Sequence, residues 1–254
     1  MSNLVILLFA CYTVDKYKRQ IEVINETWGK QCEAYRVKIF YFLGEEKRDG
    51  FQDTECIKYV NLKGVGNDYL SASYKQFLGL KYIYENCNPK FIYCAGTDTY
   101  VNVPKLVRYV RQFSHHDCLY LGGDGDMRQI GHRNWYYHSG GAGFIITYPC
   151  LEKLYDDLPT LMDEWTTLCT THQVPGLIPA CDVSISYYLQ QPKIQATVIK
   201  HDVYFSNSNY QGWPWRPNQV DSTRVICCHF MNEKNFGEYT QLLQKHNYYL
   251  HTWG

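Results

Sequence analysis

Short apolar runs alternate with stretches of helical period through the first half of the chain, and this alternation constrains the fold more than any other feature. Residues 4–10 (LVILLFA) form a continuous apolar run of strand length. Residues 15–29 follow with Ile21, Ile24 and Trp28 on one helical face and Asp15 placed to cap it. Residues 35–43 read as a second strand ending near Gly44, 67–87 as a helix, 90–95 as a third strand, and 118–121 as a short fourth. Between the last two, Pro104 suits the first position of a helix over 104–113. Strands that are apolar throughout are buried on both faces, as in parallel sheets covered by helices. The predicted fold is therefore α/β, a single α/β/α sandwich with a mostly parallel central sheet.

The second half is less regular. Gly140–Gly143 opens into the apolar run 144–147, and Pro149 opens a helix. Asp182 heads a helical run to Leu189, residues 212–217 form a proline-locked loop, 224–230 (RVICCHF) read as a strand, and 233–246 as a closing helix. Nothing repeats internally.

Composition narrows the function classes. The chain has 254 residues, 45% hydrophobic and 20% charged, which excludes disorder and leaves room for a large core. Lys plus Arg and Asp plus Glu number 25 each, so no global basic field exists and nucleic acid is not expected as a partner. The 24 tyrosines suit wet, sugar-facing clefts as well as half-buried positions. Eleven cysteines without a CxxC pair argue against structural zinc, and the odd count leaves at least one thiol unpaired. A reducing compartment, the cytoplasm, is the expected location, with a Golgi or ER lumen as the alternative if an N-terminal anchor was removed. The run 4–10 lacks a basic flank and is too short to span a bilayer, so no membrane segment is expected in this chain.

Several residues stand where chemistry is done. Asp98 follows the third strand, and in parallel α/β sheets ligands gather at the C-terminal strand ends. A carboxylate there suits a divalent cation that neutralises a nucleotide diphosphate, or caps a turn. His229 ends an apolar strand and offers nitrogen to a metal, or is a satisfied histidine at a sheet edge. Asp182 is a candidate general base that doubles as a helix N-cap. Gly140, Gly141 and Ala142 form a small-residue segment that admits close backbone approach to a ligand, or a plain tight turn. No dinucleotide fingerprint, Walker sequence, GxSxG or HExxH is present.

Taken in order, these pieces resemble the fringe and core-1 galactosyltransferase family of inverting β-1,3-glycosyltransferases. Residues 21–32 (IEVINETWGKQC) are similar to its "I…TW…RC" helix, 97–103 (TDTYVNV) to its "DDDTYV" metal segment, and 181–186 (CDVSIS) to its "DDV(S/T)xG" segment. Residues 139–144 (SGGAGF) and the strand 225–229 (VICCH) complete the likeness. Where the family has three acids this chain has Gly96-Thr97-Asp98, and Cys181 replaces the first acid of the later pair. The resemblance implies a GT-A fold over 1–254, with residues 1–103 as a nucleotide-binding half and 104–254 as an acceptor-binding half. It implies a hexosyl- or N-acetylhexosaminyltransferase that moves a sugar from a UDP-sugar to a hydroxyl of a glycan or glycoprotein. The implied cofactor is Mn2+ or another divalent cation held by Asp98 and His229, with Asp182 as catalytic base. Thr97, Asp98, Gly140, Gly141 and Ala142 would line the donor site, with Trp213 and Trp215 stacking on a sugar. Asp124 and Asp126 are the alternative bases. The missing acids leave open an inactive relative that acts as a chaperone, or a glycan-binding protein.

Overall fold

Six residues, Leu4–Phe9, form the interior strand β1, and Ile6, Leu7 and Leu8 are wholly excluded from solvent. The computed structural model describes residues 3–45, 50–212 and 220–246. After β1 come α1 (Asp15–Glu26), α2 (Gly29–Ala34), β2 (Lys38–Leu43), β3 (Ile57–Asn61) and α3 (Ser71–Asn86). Then follow β4 (Phe91–Gly96), β5 (Tyr100–Val101), α4 (Val103–Val110), β6 (Leu119–Gly122), β7 (Asp126–Ile130), β8 (Arg133–Tyr137) and β9 (Phe144–Thr147). The chain continues through α5 (Tyr148–Leu154), α6 (Leu161–Thr171), α7 (Cys181–Leu189), β10 (Thr197–Lys200), β11 (Phe205–Ser206), β12 (Cys227–Cys228) and α8 (Glu233–Lys245).

Seven strands make the main sheet in the order β10-β6-β9-β4-β1-β2-β3. Every neighbouring pair is parallel except those of β9, which runs against both β4 and β6. Because side chains alternate along a strand, β1 sends Leu4, Ile6 and Leu8 into one core and Val5 and Leu7 into the other. Helices α1, α2, α4 and α8 contribute to the first core and α3, α5, α6 and α7 to the second. This is the α/β/α sandwich expected from the sequence. A small sheet, β11-β12-β5, and the hairpin β7–β8 lie outside it.

The departures from expectation have local causes. The helix predicted over 15–29 splits at Thr27, whose backbone leaves the helical region (φ −109°, ψ −108°), and the turn brings position 29 so close that a Cβ there would stand 2.6 Å from the Ile24 carbonyl oxygen, which suits glycine. Asp15 makes no capping bond; Val14 is the N-cap, and Asp15 lies in the first turn, where its charge favours the helix dipole. The strand predicted over 224–230 shrinks to β12 because the chain before it turns. Arg224 and Val225 N–H groups donate to the Asp221 carbonyl, and the buried Lys105 ammonium donates to the carbonyls of Ser222 (2.7 Å) and Thr223 (2.8 Å). Among the described residues no helix is long and apolar enough to cross a membrane.

Candidate active site

A cavity of about 500 Å³ opens at the C-terminal edge of the parallel strands. The end of β1 supplies Phe9, Ala10 and Cys11 to its wall, and the end of β4 supplies Gly96, Thr97 and Asp98. Gly140 and Gly141 before β9, Cys181 and Asp182 of α7, and His229 and Phe230 after β12 close the far side. Asn67, Asp68, Tyr69 and Lys75, on and before α3, complete it together with Tyr17.

Asp98 and His229 meet through the small sheet. β12 pairs antiparallel with β5 in the register Cys228↔Tyr100, which carries His229 alongside the turn holding Asp98. The Asp98 carbonyl accepts from Met231 N–H at 2.9 Å, and the two side chains face each other with His229 Nε2 3.3 Å from Asp98 Oδ2. Burial pushes the Asp98 carboxyl up, but the hydrogen bond and charge of His229 and, more weakly, Lys16 outweigh it and hold the group below its ordinary range. The other ring nitrogen, Nδ1, lies 2.7 Å from Asn207 Oδ1. An amide oxygen only accepts, so Nδ1 carries a proton; the Asp98 carboxylate also only accepts, so the bond to it needs a proton on Nε2 as well, and Nε2 is the nitrogen presented to Asp98. Asn207 is fixed in turn by its N–H donating to Asp124 Oδ2 at 2.7 Å.

Asp182 stands in the first turn of α7, whose N-cap is Ala180 with no side-chain capping bond. The N-cap role open to it from sequence is therefore not the one it plays. One carboxylate oxygen accepts the Gly140 N–H (2.7 Å) and the other that of Val183 (2.9 Å). Burial pushes its pKa above the ordinary value of 3.8, and the two N–H groups oppose this only in part. A carboxylate so poised is a better proton acceptor than an exposed one.

The two glycines explain how these groups come so close. A Cβ on Gly140 would sit 3.0 Å from Asp182 Cβ, and one on Gly141 would sit 2.2 Å from the His229 ring. Thr99 Oγ1 donates to the Gly141 carbonyl at 2.9 Å and pins the segment to the Asp98 turn. Gly141→Ala is therefore expected to cost about 1–3 kcal/mol through overpacking, read by urea denaturation. Unchanged stability would mean the imidazole has room to swing away.

Other residues singled out by sequence are placed differently. Thr97 lines the cavity, but its hydroxyl donates to the buried Gln20 side chain at 2.7 Å. Ala142 is fully buried behind the wall, its carbonyl accepting from Tyr93 Oη at 3.0 Å. Trp213 and Trp215 lie outside the described residues. Sequence reasoning missed Asn207 and Lys75. The Lys75 ammonium, buried in the cavity wall, donates to the Ala10 carbonyl (2.7 Å) and Asn67 Oδ1 (2.6 Å). A lysine amid the apolar period of α3 was the available signal for it; for Asn207 there was none.

The sequence profile of the Fringe-like family matches residues 3–235. The chain belongs to the Fringe-like family. Among curated proteins this Fringe-like chain is similar to the human UDP-GalNAc:beta-1,3-N-acetylgalactosaminyltransferase 1, with 22% identity over 179 residues, which covers 59% of this chain and 53% of that enzyme. The orangutan (Pongo abelii) enzyme of the same name matches to the same extent. The chain thus spans about half the length of the curated relatives it matches. Among solved structures it is similar to the galactosyltransferase LgtC in complex with donor and acceptor sugar analogs, at TM-score 0.54 and 14% identity over 94% of this chain and 95% of that one. A glycosyltransferase involved in glycosylating the major capsid of PBCV-1 aligns at TM-score 0.51 and 10% identity over 94% and 98% of the two chains. GlyE of Streptococcus pneumoniae TIGR4 aligns at TM-score 0.51 and 13% identity over 98% and 64%. At these identities the likeness is one of fold, and that fold is GT-A.

Proposed function

We propose that this Fringe-like chain transfers a sugar, a hexose or N-acetylhexosamine, from a UDP-sugar to a hydroxyl of a glycan or glycoprotein, inverting the anomeric centre in one displacement. One observation carries the reading: a poised carboxylate, Asp182, and a carboxylate–imidazole pair, Asp98 and His229, face a single cavity at the sheet edge where nucleotide ligands bind. The named activity of the curated relatives supports a UDP-N-acetylhexosamine donor and a β-1,3 linkage.

The residues fit a divalent cation. Asp98 would offer it carboxylate oxygen and His229 imidazole nitrogen, and the two donor atoms, Oδ2 and Nε2, stand 3.3 Å apart in the cavity wall. Among the described residues no group of three or more acidic, histidine or cysteine side chains gathers, so the protein would supply these two ligands and the diphosphate and water the rest. A bound cation would offset the negative charge that develops on the departing UDP.

The chain's own residues do the remainder. Asp182 takes the proton from the acceptor hydroxyl as that oxygen attacks the anomeric carbon. The bond from that carbon to the diphosphate oxygen breaks, and its electron pair leaves with UDP. The Gly140 N–H holds the base in place, and the Lys75 ammonium adds positive potential along the donor. Residues 1–103 would serve chiefly the donor and 104–254 the acceptor. Tyr17 and Tyr69 at the cavity offer ring faces to a base or sugar.

A second reading, a binding-only member acting as a chaperone or glycan binder, is favoured by the segment Gly96-Thr97, where no carboxylate stands and the Thr97 hydroxyl is turned into the core. UDP release from a panel of UDP-sugars, with and without manganese, separates the two. We expect manganese-dependent release with one donor. Binding of UDP without release from any donor, given a panel of glycan acceptors, would overturn the enzyme reading.

A further inference from the structure

Cys118 and Cys150 meet at the end of the sheet opposite the cavity, one leading into β6 and the other in the first turn of α5. All eleven cysteines are free thiols. The Sγ atoms of this pair, 32 residues apart in sequence, stand 2.7 Å from each other, against about 2.0 Å for the bond itself. The backbone on both sides is already registered. Thr147 Oγ1 donates to the Asp117 carbonyl (2.6 Å) and accepts the Leu119 N–H (2.9 Å), and the Cys118 carbonyl accepts the Thr197 N–H (2.9 Å). Joining the sulfurs therefore requires almost no movement of the chain.

The two thiols differ in a way that suits sequential exchange. Cys118 is partly exposed, while Cys150 is fully buried with its Sγ 3.4 Å from the Leu119 carbonyl. The hydrogen bond with Cys150, aided by the charge of Lys153, holds the Cys118 thiol below its ordinary range, whereas burial pushes Cys150 well up. The accessible sulfur is thus the better nucleophile and the hidden one lies next to it.

We propose that Cys118 and Cys150 form a dithiol that a small-molecule disulfide converts into an intramolecular disulfide, stapling β6 to α5. The Cys118 thiolate attacks one sulfur of the small disulfide and expels its partner as a thiolate. Cys150 then gives up its proton, attacks Cys118 Sγ in the mixed disulfide and expels the second thiolate. Two cysteine thiols are oxidised to one disulfide, and one small disulfide is reduced to two thiols. The closed loop contains β6, the hairpin β7–β8, the Gly140–Gly143 segment and β9, so the staple fixes both ends of the segment carrying Gly140 and Gly141. The inference is independent of the sugar-transfer reading.

The test exposes the purified chain to oxidised glutathione or to dithiothreitol, alkylates the remaining thiols, and maps the peptides by mass. We expect a cross-linked peptide pair holding Cys118 and Cys150, two hydrogens lighter than the reduced pair. The unfolding midpoint should rise by roughly 5–10 °C and fall back on reduction. Cys118→Ser, at the partly exposed position, should abolish both changes, and Cys150→Ser should leave Cys118 as a stable glutathione adduct. Full alkylation of both thiols after glutathione treatment, or a link from Cys118 to any other cysteine, would overturn the proposal in the unmutated chain.

Discussion

Asp182→Asn is expected to slow sugar transfer at least about a hundredfold while the protein still folds and binds UDP with manganese. The asparagine carbonyl can still accept the Gly140 N–H, at the expense of the Val183 N–H that the second carboxylate oxygen accepts; what is lost besides is a group able to take a proton. Ala180, at the N-cap position of α7, offers no side-chain cap, so losing the bond to Val183 N–H is expected to cost at most about 1 kcal/mol, too little to unfold the protein. The sign of the pH effect follows from burial. The folded state raises the Asp182 pKa above 3.8, so ionising it costs stability as pH rises from 3.8 through the folded value. The uncharged variant is spared that cost, and its stability relative to the parent should improve from acid to neutral pH. In the parent, the acid limb of kcat/KM should lie above 3.8 for the same reason. Near-normal turnover in the variant would remove Asp182 as base. The alternatives are poorly placed: Asp124 accepts the Asn207 N–H, Asp126 pairs with Arg128 at 3.1 Å in solvent, and neither lines the cavity.

Asp98→Ala is expected to abolish manganese-dependent UDP binding in calorimetry, and His229→Ala to weaken it at least about tenfold. The asymmetry reflects charge. Asp98 brings the only carboxylate left in the 96–98 segment, and its depressed pKa keeps it ionised well below neutral pH. His229 would bring an imidazole nitrogen, which adds no negative charge beside the ion and whose aim depends on Asn207. If the two residues hold one ion, their effects are not additive, and the double variant should bind no worse than Asp98→Ala alone. Unchanged manganese dependence in Asp98→Ala would dissociate the pair from metal.

The elements read most directly from the sequence are those whose environment is uniform. β1, β2 and β4 are covered on both faces, so their apolar runs are continuous, and their boundaries fall within a few residues of expectation. The elements missed have mixed surroundings. β3 is an edge strand with half-exposed Lys58 and exposed Asn61. The hairpin β7–β8 shows mostly polar side chains to solvent, so no period marks it. In α6, Thr166, Thr167, Thr170 and Thr171 return their hydroxyls to carbonyls four residues back, a use of threonine that propensity does not anticipate. The site followed the same rule. Asp98, Asp182, His229, Gly140 and Gly141 were legible because each sits at the end of a recognisable element or in a recognisable block, and all reach one cavity. Asn207 was not, because what it does arises only when β11 and β12 are laid side by side.

Strand β9 runs against its neighbours, and this gives the chain a property that a wholly parallel sheet would lack. Residues 123–143 leave β6 at the cavity edge and re-enter the sheet through β9 at that same edge. They form a closed excursion that never has to cross to the opposite side. Its length can therefore change without moving the register of any central strand, and loop closure penalises added residues only slowly. Gly140 and Gly141, at the returning end, stay anchored by Asp182 and Thr99 whatever the outgoing part contains. The fold thus separates a fixed margin, where Asp98, Asp182 and His229 face the cavity, from a span beside it that is tied down by Ile130, Trp135 and His138 and free to vary only at its exposed positions. A change of length at the exposed tip of that span leaves the central strands and the two glycines where they are.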